Sequence, residues 1–231
     1  MNKFYFKDIK NYLLKHSVNI ISKLDRNVIF EAISTLQDAN ENDLTFFHNT
    51  KYLNDLNNTK ARACFIEDKY TKYLNKTCIP IIVADPHLAY ALVTNYILPT
   101  LQSNGIIDST SIIDKNSALE GNVQINFNSV IKENCKIGFN SVVYENTIIG
   151  PNVIIGANTL IMGNCVISDS IIGKNCIIQS GSIIGGKGFG FTLNRKIEVK
   201  HIGNVIIGDY VDIGSNTTID KGSLNSTIIG D

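Results

Sequence analysis

From Ile107 to Ile167, every sixth residue of this sequence is a large aliphatic. The series is Ile107, Ile113, Leu119, Ile125, Ile131, Ile137, Val143, Ile149, Ile155, Ile161 and Ile167. An α-helix repeats every 3.6 residues and a β-strand every two, so neither keeps this rhythm. A coil with three flat faces keeps it when each face uses six residues and points its aliphatic residue inward. The repeat therefore predicts a parallel β-helix.

The other places of the repeat fit the same coil. Asparagine stands three residues after almost every aliphatic, and tolerates a left-handed backbone better than other non-glycine residues, which suits a corner between faces. The corner residues are Thr110 and then Asn116, Asn122, Asn128, Asn134, Asn140, Asn146, Asn152, Asn158 and Asn164. The next place is always small, and Cys135 and Cys165 occupy it. We therefore expect these two cysteines to be core residues of the wall.

The rhythm shifts by one residue after Ile167, and Cys176 takes the small place of its repeat. It is interrupted again between Ile184 and Ile207 before it returns. We expect the chain to leave the coil here in an excursion loop at about 185–204.

The interruption begins with a glycine-rich segment, Gly181–Lys187, that fits most of a phosphate-binding P-loop. That motif requires Ser or Thr next, followed by a helix, whereas Gly188 follows here. We therefore set the P-loop aside. The glycines are better explained by an excursion loop that turns closely on leaving the coil, with Phe189 and Phe191 packing it down.

Composition divides the chain into two domains. All 17 glycines lie at Gly105 or beyond, whereas most tyrosines and phenylalanines lie before Leu101. We predict a small α/β domain over 1–100 and the β-helix over 106–231. Pro99 and the polar run at 102–104 mark the linker between them.

The first hundred residues carry the pattern of a mixed α/β domain. An amphipathic segment at 6–21 is followed by strand-like runs at Ala63–Glu67 and Ile79–Val83. A helix is predicted to run from Pro86 to about Ile97, with Asp85 as its N-cap.

Phe46, Asn49 and Tyr52 are spaced by three residues in this domain. On a turn or a short helix, that spacing would place two aromatic rings and an amide on one side. Such a group could hold a flat base, because base–aromatic stacking stabilises binding by about 1–3 kcal/mol. Alternatively, the two rings are ordinary core aromatics, and the spacing alone favours that interpretation.

Charge and cysteine content exclude several classes of function. Lysine plus arginine equal aspartate plus glutamate at 21 each, so no global field attracts nucleic acid or an anionic membrane. The sequence has no signal-peptide core and no apolar run that spans a membrane, which predicts a cytoplasmic protein. Its five cysteines form no CxxC pair, and we expect them to be reduced and to bind no metal.

Four segments carry a family resemblance. They are LTFFHNTKY at Leu44–Tyr52, DPHLAYA at Asp85–Ala91, GGKGFGF at Gly185–Phe191 and IGDYVDIGSNTTIDKGSL at Ile207–Leu224. Together, in this order, they resemble the UDP-3-O-acylglucosamine N-acyltransferases of lipid A biosynthesis.

The resemblance implies a left-handed coil and a homotrimer. It implies transfer of a 3-hydroxyacyl chain from acyl carrier protein to the 2-amine of UDP-3-O-acylglucosamine, with the carrier thioester as donor and no further cofactor. Phe46, Asn49 and Tyr52 match the family's uracil-binding positions, which favours the base-binding interpretation for them.

The chain departs from the family at two places. Asn42 replaces a glycine, and asparagine can hold the same positive φ. More seriously, the family's catalytic histidine stands in an Ile-Ala-His-Asn-Val motif that would lie beyond Asp231. We therefore expect an incomplete β-helix, truncated at its C-terminus, and assign no catalytic residue. His16, His48, His87 and His201 match no catalytic position.

Two alternatives stay open. The chain is either an active N-acyltransferase or an inactive truncated remnant that binds UDP-sugar without catalysis. Lys187, Arg195, Lys196 and Lys200 make the excursion loop basic, which suits docking of an acidic carrier protein or a simply solvated loop. A zinc site of the γ-type carbonic anhydrases is excluded, because it needs three histidines and only His201 lies beyond Gly105.

Overall fold

The structure is a computed structural model that describes residues 3–231. The chain divides into two compact units, of which the first ends at Thr100 and the second begins at Leu101. No helix of the described residues is long and apolar enough to cross a membrane.

The first unit is a small α/β domain around a parallel sheet. Its elements are, in chain order, β1 (Phe4–Tyr5), α1 (Phe6–Lys15), β2 (Ile29–Phe30), β3 (Leu44–Phe46), a 3₁₀ helix (Thr50–Tyr52), α2 (Leu53–Asn58), β4 (Ala63–Ile66), a second 3₁₀ helix (Asp68–Tyr73), β5 (Ile79–Ile82) and α3 (Pro86–Ile97). Strands β3, β4 and β5 are parallel and adjacent in this order, and β1 pairs with β2 in an antiparallel ladder.

The residues of β4 alternate between two apolar clusters, one on each side of the sheet. Ala63 and Phe65 pack with α1 and α3, whereas Cys64 and Ile66 pack with α2. All four side chains are buried. A strand covered on both sides accounts for this unbroken apolar run, which a half-exposed strand would not have.

Helix α3 has the predicted bounds. The Asp85 carboxylate accepts hydrogen bonds from the backbone N–H groups of His87 at 2.9 Å and Leu88 at 3.0 Å, as an N-cap should. Strands β4 and β5 each end one residue earlier than predicted. The amphipathic segment is helical only to Lys15, because Ser17 has a φ of 62° and turns the chain out of the helix.

The second unit is the β-helix. Its strands are β6 (Ile112–Ile113), β7 (Ala118–Leu119), β8 (Gln124–Ile125), β9 (Val130–Ile131), β10 (Lys136–Ile137), β11 (Val142–Val143), β12 (Ile148–Ile149), β13 (Ile154–Ile155), β14 (Leu160–Ile161), β15 (Val166–Ile167), β16 (Ser170–Ile172), β17 (Ile177–Ile178), β18 (Ile183–Lys187), β19 (Val205–Ile207), β20 (Asp212–Ile213), β21 (Thr218–Lys221) and β22 (Thr227–Ile229). In the described chain these strands form three parallel sheets, one on each face of the coil. Within a sheet, each strand pairs with the strand three before it and the strand three after it in the chain. The predicted fold class, a small α/β domain followed by a left-handed parallel β-helix, is confirmed.

The aliphatic residues of the repeat fill the coil as predicted. The members from Ile125 to Ile213 are buried in one cluster, and Ile113 and Leu119 pack partly against it. Ile107, the first of the series, lies outside the named strands, where it makes only an isolated bridge to Ile125 and is 48% exposed. The predicted shift is also present, because Ile155 pairs with Ile172.

Asparagine forms the corners, as predicted. The eight corner asparagines from Asn122 to Asn164 have φ values of 55–63°. Their amides form ladders between coils: Asn122 Nδ2 donates to Asn140 Oδ1 at 2.7 Å, and Asn140 Nδ2 donates to Asn158 Oδ1 at 3.0 Å. Among the described residues, Thr110 and Asn116 at the start of the series have no positive φ.

A part-buried ion pair ends one ladder where the repeat shifts. Asp169 stands at this corner with a φ of 43°, and its carboxylate accepts hydrogen bonds from Asn152 Nδ2 at 3.2 Å and Lys221 Nζ at 2.6 Å. Burial alone would raise the pKa of Asp169, but the hydrogen bonds from Lys221 and Asn152 outweigh it and hold the pKa below its usual value.

The excursion loop lies between β18 and β19, but Phe189 does not pack it down. Phe189 is 92% exposed and touches Phe191 edge-on, with ring centroids 5.1 Å apart. The loop is held instead by Glu198, which pairs with both Lys187 and Lys200. These cations hold the pKa of Glu198 at about 2. Gly188 also lies so close to the His201 ring that a Cβ there would clash with it.

We predict that Asn140→Val lowers the free energy of unfolding by about 2 kcal/mol or more, because a β-branched residue is strained at positive φ and the amide ladder is lost. Asn140→Gly is the matched control, since it loses the ladder but tolerates the corner. Urea unfolding followed by circular dichroism should give a lower unfolding midpoint for the valine variant than for the glycine variant. Equal midpoints for the two variants would contradict this account of the corner.

Candidate functional site

The candidate site lies at the edge of the N-terminal sheet where β3, β4 and β5 end. In open α/β sheets, ligands bind at the carboxyl ends of parallel strands. Phe46 is the last residue of β3, and His48 and Asn49 follow it directly. His87 and Tyr90 come from the first turns of α3, which follows β5.

A cavity of about 310 Å³ opens at this edge. Its lining is Thr35, Leu36, Gln37, Phe46, Phe47, His48, Asn49 and Tyr52. The three residues predicted from the sequence thus line one cavity. The predicted reason was wrong: they do not share one turn or helix, because Phe46 ends a strand, Asn49 caps a 3₁₀ helix and Tyr52 ends that helix.

The two predicted aromatic residues differ in burial. Phe46 is partly buried against the core cluster of α1 and α3, whereas Tyr52 is 41% exposed. Tyr52 is therefore not a core aromatic, and Phe46 is one only in part. Both rings keep surface that a ligand in the cavity can contact.

The oxygen and the nitrogen of the Asn49 side-chain amide have different roles. Its Oδ1 accepts a hydrogen bond from the backbone N–H of Lys51 at 3.0 Å, which caps the 3₁₀ helix. A side-chain amide also carries two N–H donors on its nitrogen. The oxygen therefore fixes the side chain, and the NH₂ group is the part suited to an acceptor on a ligand.

Four aromatic rings meet beside the cavity as two stacked pairs. Phe46 stacks on Tyr90 with centroids 4.1 Å apart and planes 13° apart, and His48 stacks on His87 at 4.8 Å and 20°. Phe46 and His48 lie next to each other at 5.4 Å and 18°. Because Tyr90 covers one face of Phe46, the opposite face is the one left for the cavity.

Sequence reasoning missed the roles of His48, His87 and Tyr90, although all three lie inside the segments that carry the resemblance. The signal that could have found them is their position. His48 follows β3 and His87 follows β5, and parallel strands end at the same edge of a sheet.

A second, larger hollow of about 620 Å³ lies at the same edge, and Glu67, Asp68 and Asp85 contribute to its lining. Two of these carboxylates already have structural partners: Glu67 pairs with Lys69 at 2.7 Å, and Asp85 caps α3. The negative lining suits an anionic ligand less well than the first cavity does.

The described residues contain no group of three or more His, Cys, Asp or Glu side chains placed to hold a metal ion. All five cysteines are free and buried. Burial raises the pKa of the Cys64 thiol well above its usual value and that of Cys78 to about 12. These thiols are therefore protonated core residues rather than nucleophiles.

Comparison with known proteins gives the same assignment for both units. Residues 27–96 match the family described as UDP-3-O-(3-hydroxymyristoyl) glucosamine N-acyltransferase, and residues 128–163 and 153–186 match the bacterial transferase hexapeptide repeat. UDP-3-O-acylglucosamine N-acyltransferase 2 of Legionella pneumophila (strain Philadelphia 1) is 45% identical over 201 residues, which cover 86% of this chain. The chain belongs to the UDP-3-O-acylglucosamine N-acyltransferase family.

UDP-3-O-acylglucosamine N-acyltransferase of Rickettsia akari (strain Hartford) is 40% identical over 219 residues, or 94% of this chain. The chain spans 59% of the length of the Legionella relative and 63% of the Rickettsia relative. Among solved structures, a hexapeptide transferase family protein from Anaplasma phagocytophilum aligns with a TM-score of 0.31 and 18% identity, covering 54% of this chain and 69% of that protein.

Proposed function

We propose that the protein transfers a 3-hydroxyacyl chain from acyl carrier protein to the 2-amine of UDP-3-O-acylglucosamine, a step of lipid A biosynthesis. Family membership supports the reaction, because the relatives carry this activity in their names. The cavity at Phe46 supports the substrate. No residue of the chain is assigned to the chemical step.

The observation that carries the proposal is a stacking ring beside an amide donor in one cavity. Phe46 offers one ring face, and Tyr52, which is partly exposed, lines the same cavity. A flat uracil between them would gain about 1–3 kcal/mol per stacked base. The Asn49 NH₂ group would then donate to a uracil carbonyl, which is an acceptor.

We also propose that the protein assembles as a homotrimer through the outside of its coil. Two of its faces carry rows of aliphatic residues that point outward, and contiguous apolar surface of this kind marks an interface. One row is Ile154, Ile171, Ile206 and Ile228, and the other is Ile112, Val130, Ile148, Val166 and Ile183.

The proposed acyl donor is acyl carrier protein, which holds the acyl chain as a thioester. The transfer then needs no further cofactor. The excursion loop is less basic than its four cations suggested, because Glu198 pairs with Lys187 and Lys200 and cancels one of their two positive charges. Arg195 and Lys196 are exposed and form no ion pair with the described residues. These two cations are the ones that we propose contact an acidic carrier protein.

The reaction would take place in the bacterial cytoplasm, where the five buried thiols stay reduced.

The direct test is N-acyl transfer by the whole chain, with product measured by mass spectrometry. We expect the amine of UDP-3-O-acylglucosamine to become acylated with a 3-hydroxyacyl carrier protein as donor, and not with the matching acyl-coenzyme A. Binding of the UDP-sugar without turnover would contradict the proposed activity and favour the non-catalytic remnant.

The nucleotide site has a sharper variant, Asn49→Asp. The carboxylate still accepts the Lys51 N–H, so the helix cap and the melting temperature should be kept, whereas the NH₂ donors are lost. We expect the dissociation constant of uridine, an uncharged ligand, to rise by about tenfold. Calorimetry with uridine and cytidine should show a reduced preference for uridine. An unchanged uridine affinity would mean that Asn49 does not contact the base.

For the trimer, light scattering coupled to size-exclusion chromatography should give three times the mass of one chain. Ile171→Lys places a charge in an outward aliphatic row and should dissociate the trimer without unfolding the coil. Ile21→Lys is the matched control, because Ile21 is 71% exposed in the other unit. A monomer in the unsubstituted chain would contradict the trimer.

A further inference from the structure

His48 is a cavity residue that the proposed function does not use. Its ring lies next to that of Phe46, with centroids 5.4 Å apart and planes 18° apart, and both residues line the cavity. The two rings are therefore neighbouring, nearly parallel parts of the cavity lining. If the base stacks on Phe46, the adjacent His48 is left for whatever is attached to the base.

The His48 ring is held in place by a second ring stacked on it. His87 stacks against it at 4.8 Å, just as Tyr90 stacks against Phe46 at 4.1 Å. His87 is itself fixed at the start of α3, where its backbone N–H donates to Asp85 Oδ1 at 2.9 Å. The His48 imidazole is thus pre-oriented, although it is exposed to solvent.

His48 is the group of the cavity lining that is best suited to bind an anion. Among the described residues that line the cavity, His48 is the one whose side chain can carry a positive charge, and none of them is a carboxylate. Two acids outside the lining accept hydrogen bonds from it: Asp55 Oδ2 from Gln37 Nε2 at 2.7 Å and Asp38 Oδ2 from Thr35 Oγ1 at 2.8 Å. An imidazole N–H also donates to a phosphate oxygen when it is neutral, and more strongly when it is protonated.

Nucleotide chemistry places a phosphate within this geometry. The ribose is bonded to the edge of the base, so a base stacked on Phe46 carries its sugar and phosphate to one side of that ring, where a neighbouring side chain can meet them. We propose that His48, positioned by His87, binds the phosphate of a uridine nucleotide whose base lies on Phe46. This inference rests on the proposed function, because it requires the uracil site.

The test compares the affinities of uridine, UMP and UDP for the whole chain by calorimetry. The phosphate gain is the ratio of the uridine dissociation constant to that of UMP or UDP. His48→Phe keeps a flat ring in the cavity lining but removes the imidazole N–H donors. We expect this variant to bind uridine within about twofold of the unsubstituted chain and to lose about tenfold of the phosphate gain.

His16→Phe is the matched control, because it makes the same chemical change in the same domain against Tyr12 and away from the cavity lining. It should leave both quantities unchanged. If uridine binds and His48→Phe keeps the full phosphate gain, the His48 inference is wrong while the uracil site stands. If uridine does not bind to the unsubstituted chain, the uracil site is wrong and the inference falls with it.

Discussion

The β-helix depends on one backbone constraint, which is that its corners from Asn122 onward need residues that accept a left-handed conformation. Asparagine meets this constraint from Asn122 to Asn164, and Asp169, Asn175 and Asn216 continue it after the repeat shifts. Because the corner fixes where each strand begins, the aliphatic residues stay in register between coils and point inward. The same register aligns the outward residues into the two aliphatic rows.

A corner residue also connects neighbouring coils. The amide of Asn140 accepts from the coil on one side and donates to the coil on the other. The asparagine side chain therefore stabilises both the bend of its own coil and the stacking of the neighbouring coils. This explains why asparagine serves here better than glycine, which would supply only the bend.

Much of the fold could be predicted from the sequence because its signals are local. The six-residue rhythm, the Asn corners and the N-cap of α3 each involve residues that are close together in the chain. The excursion loop was located but not described, because its anchors are the nonlocal pairs of Glu198 and the contact of Gly188 with His201. Phe189, which we expected to pack the loop, is exposed instead.

The candidate site was predicted for a partly wrong reason. The family resemblance identified Phe46, Asn49 and Tyr52, but their spacing suggested one helical turn where the chain in fact ends a strand and then begins a 3₁₀ helix. The stacked ring pairs were not predictable from spacing, because Phe46 and His48 meet Tyr90 and His87 only when β3 and α3 lie side by side. That arrangement is set by the parallel sheet, in which β3 and β5 end at the same edge and α3 follows β5, and not by any local pattern.

A crystal structure of this chain with bound UDP tests the central claim, that a uridine nucleotide occupies the cavity at Phe46. We expect the uracil on the Phe46 face opposite Tyr90, within reach of Asn49 and Tyr52, with a phosphate beside His48. A nucleotide bound instead in the larger hollow lined by Glu67 and Asp85, with the Phe46 cavity empty, would contradict this account.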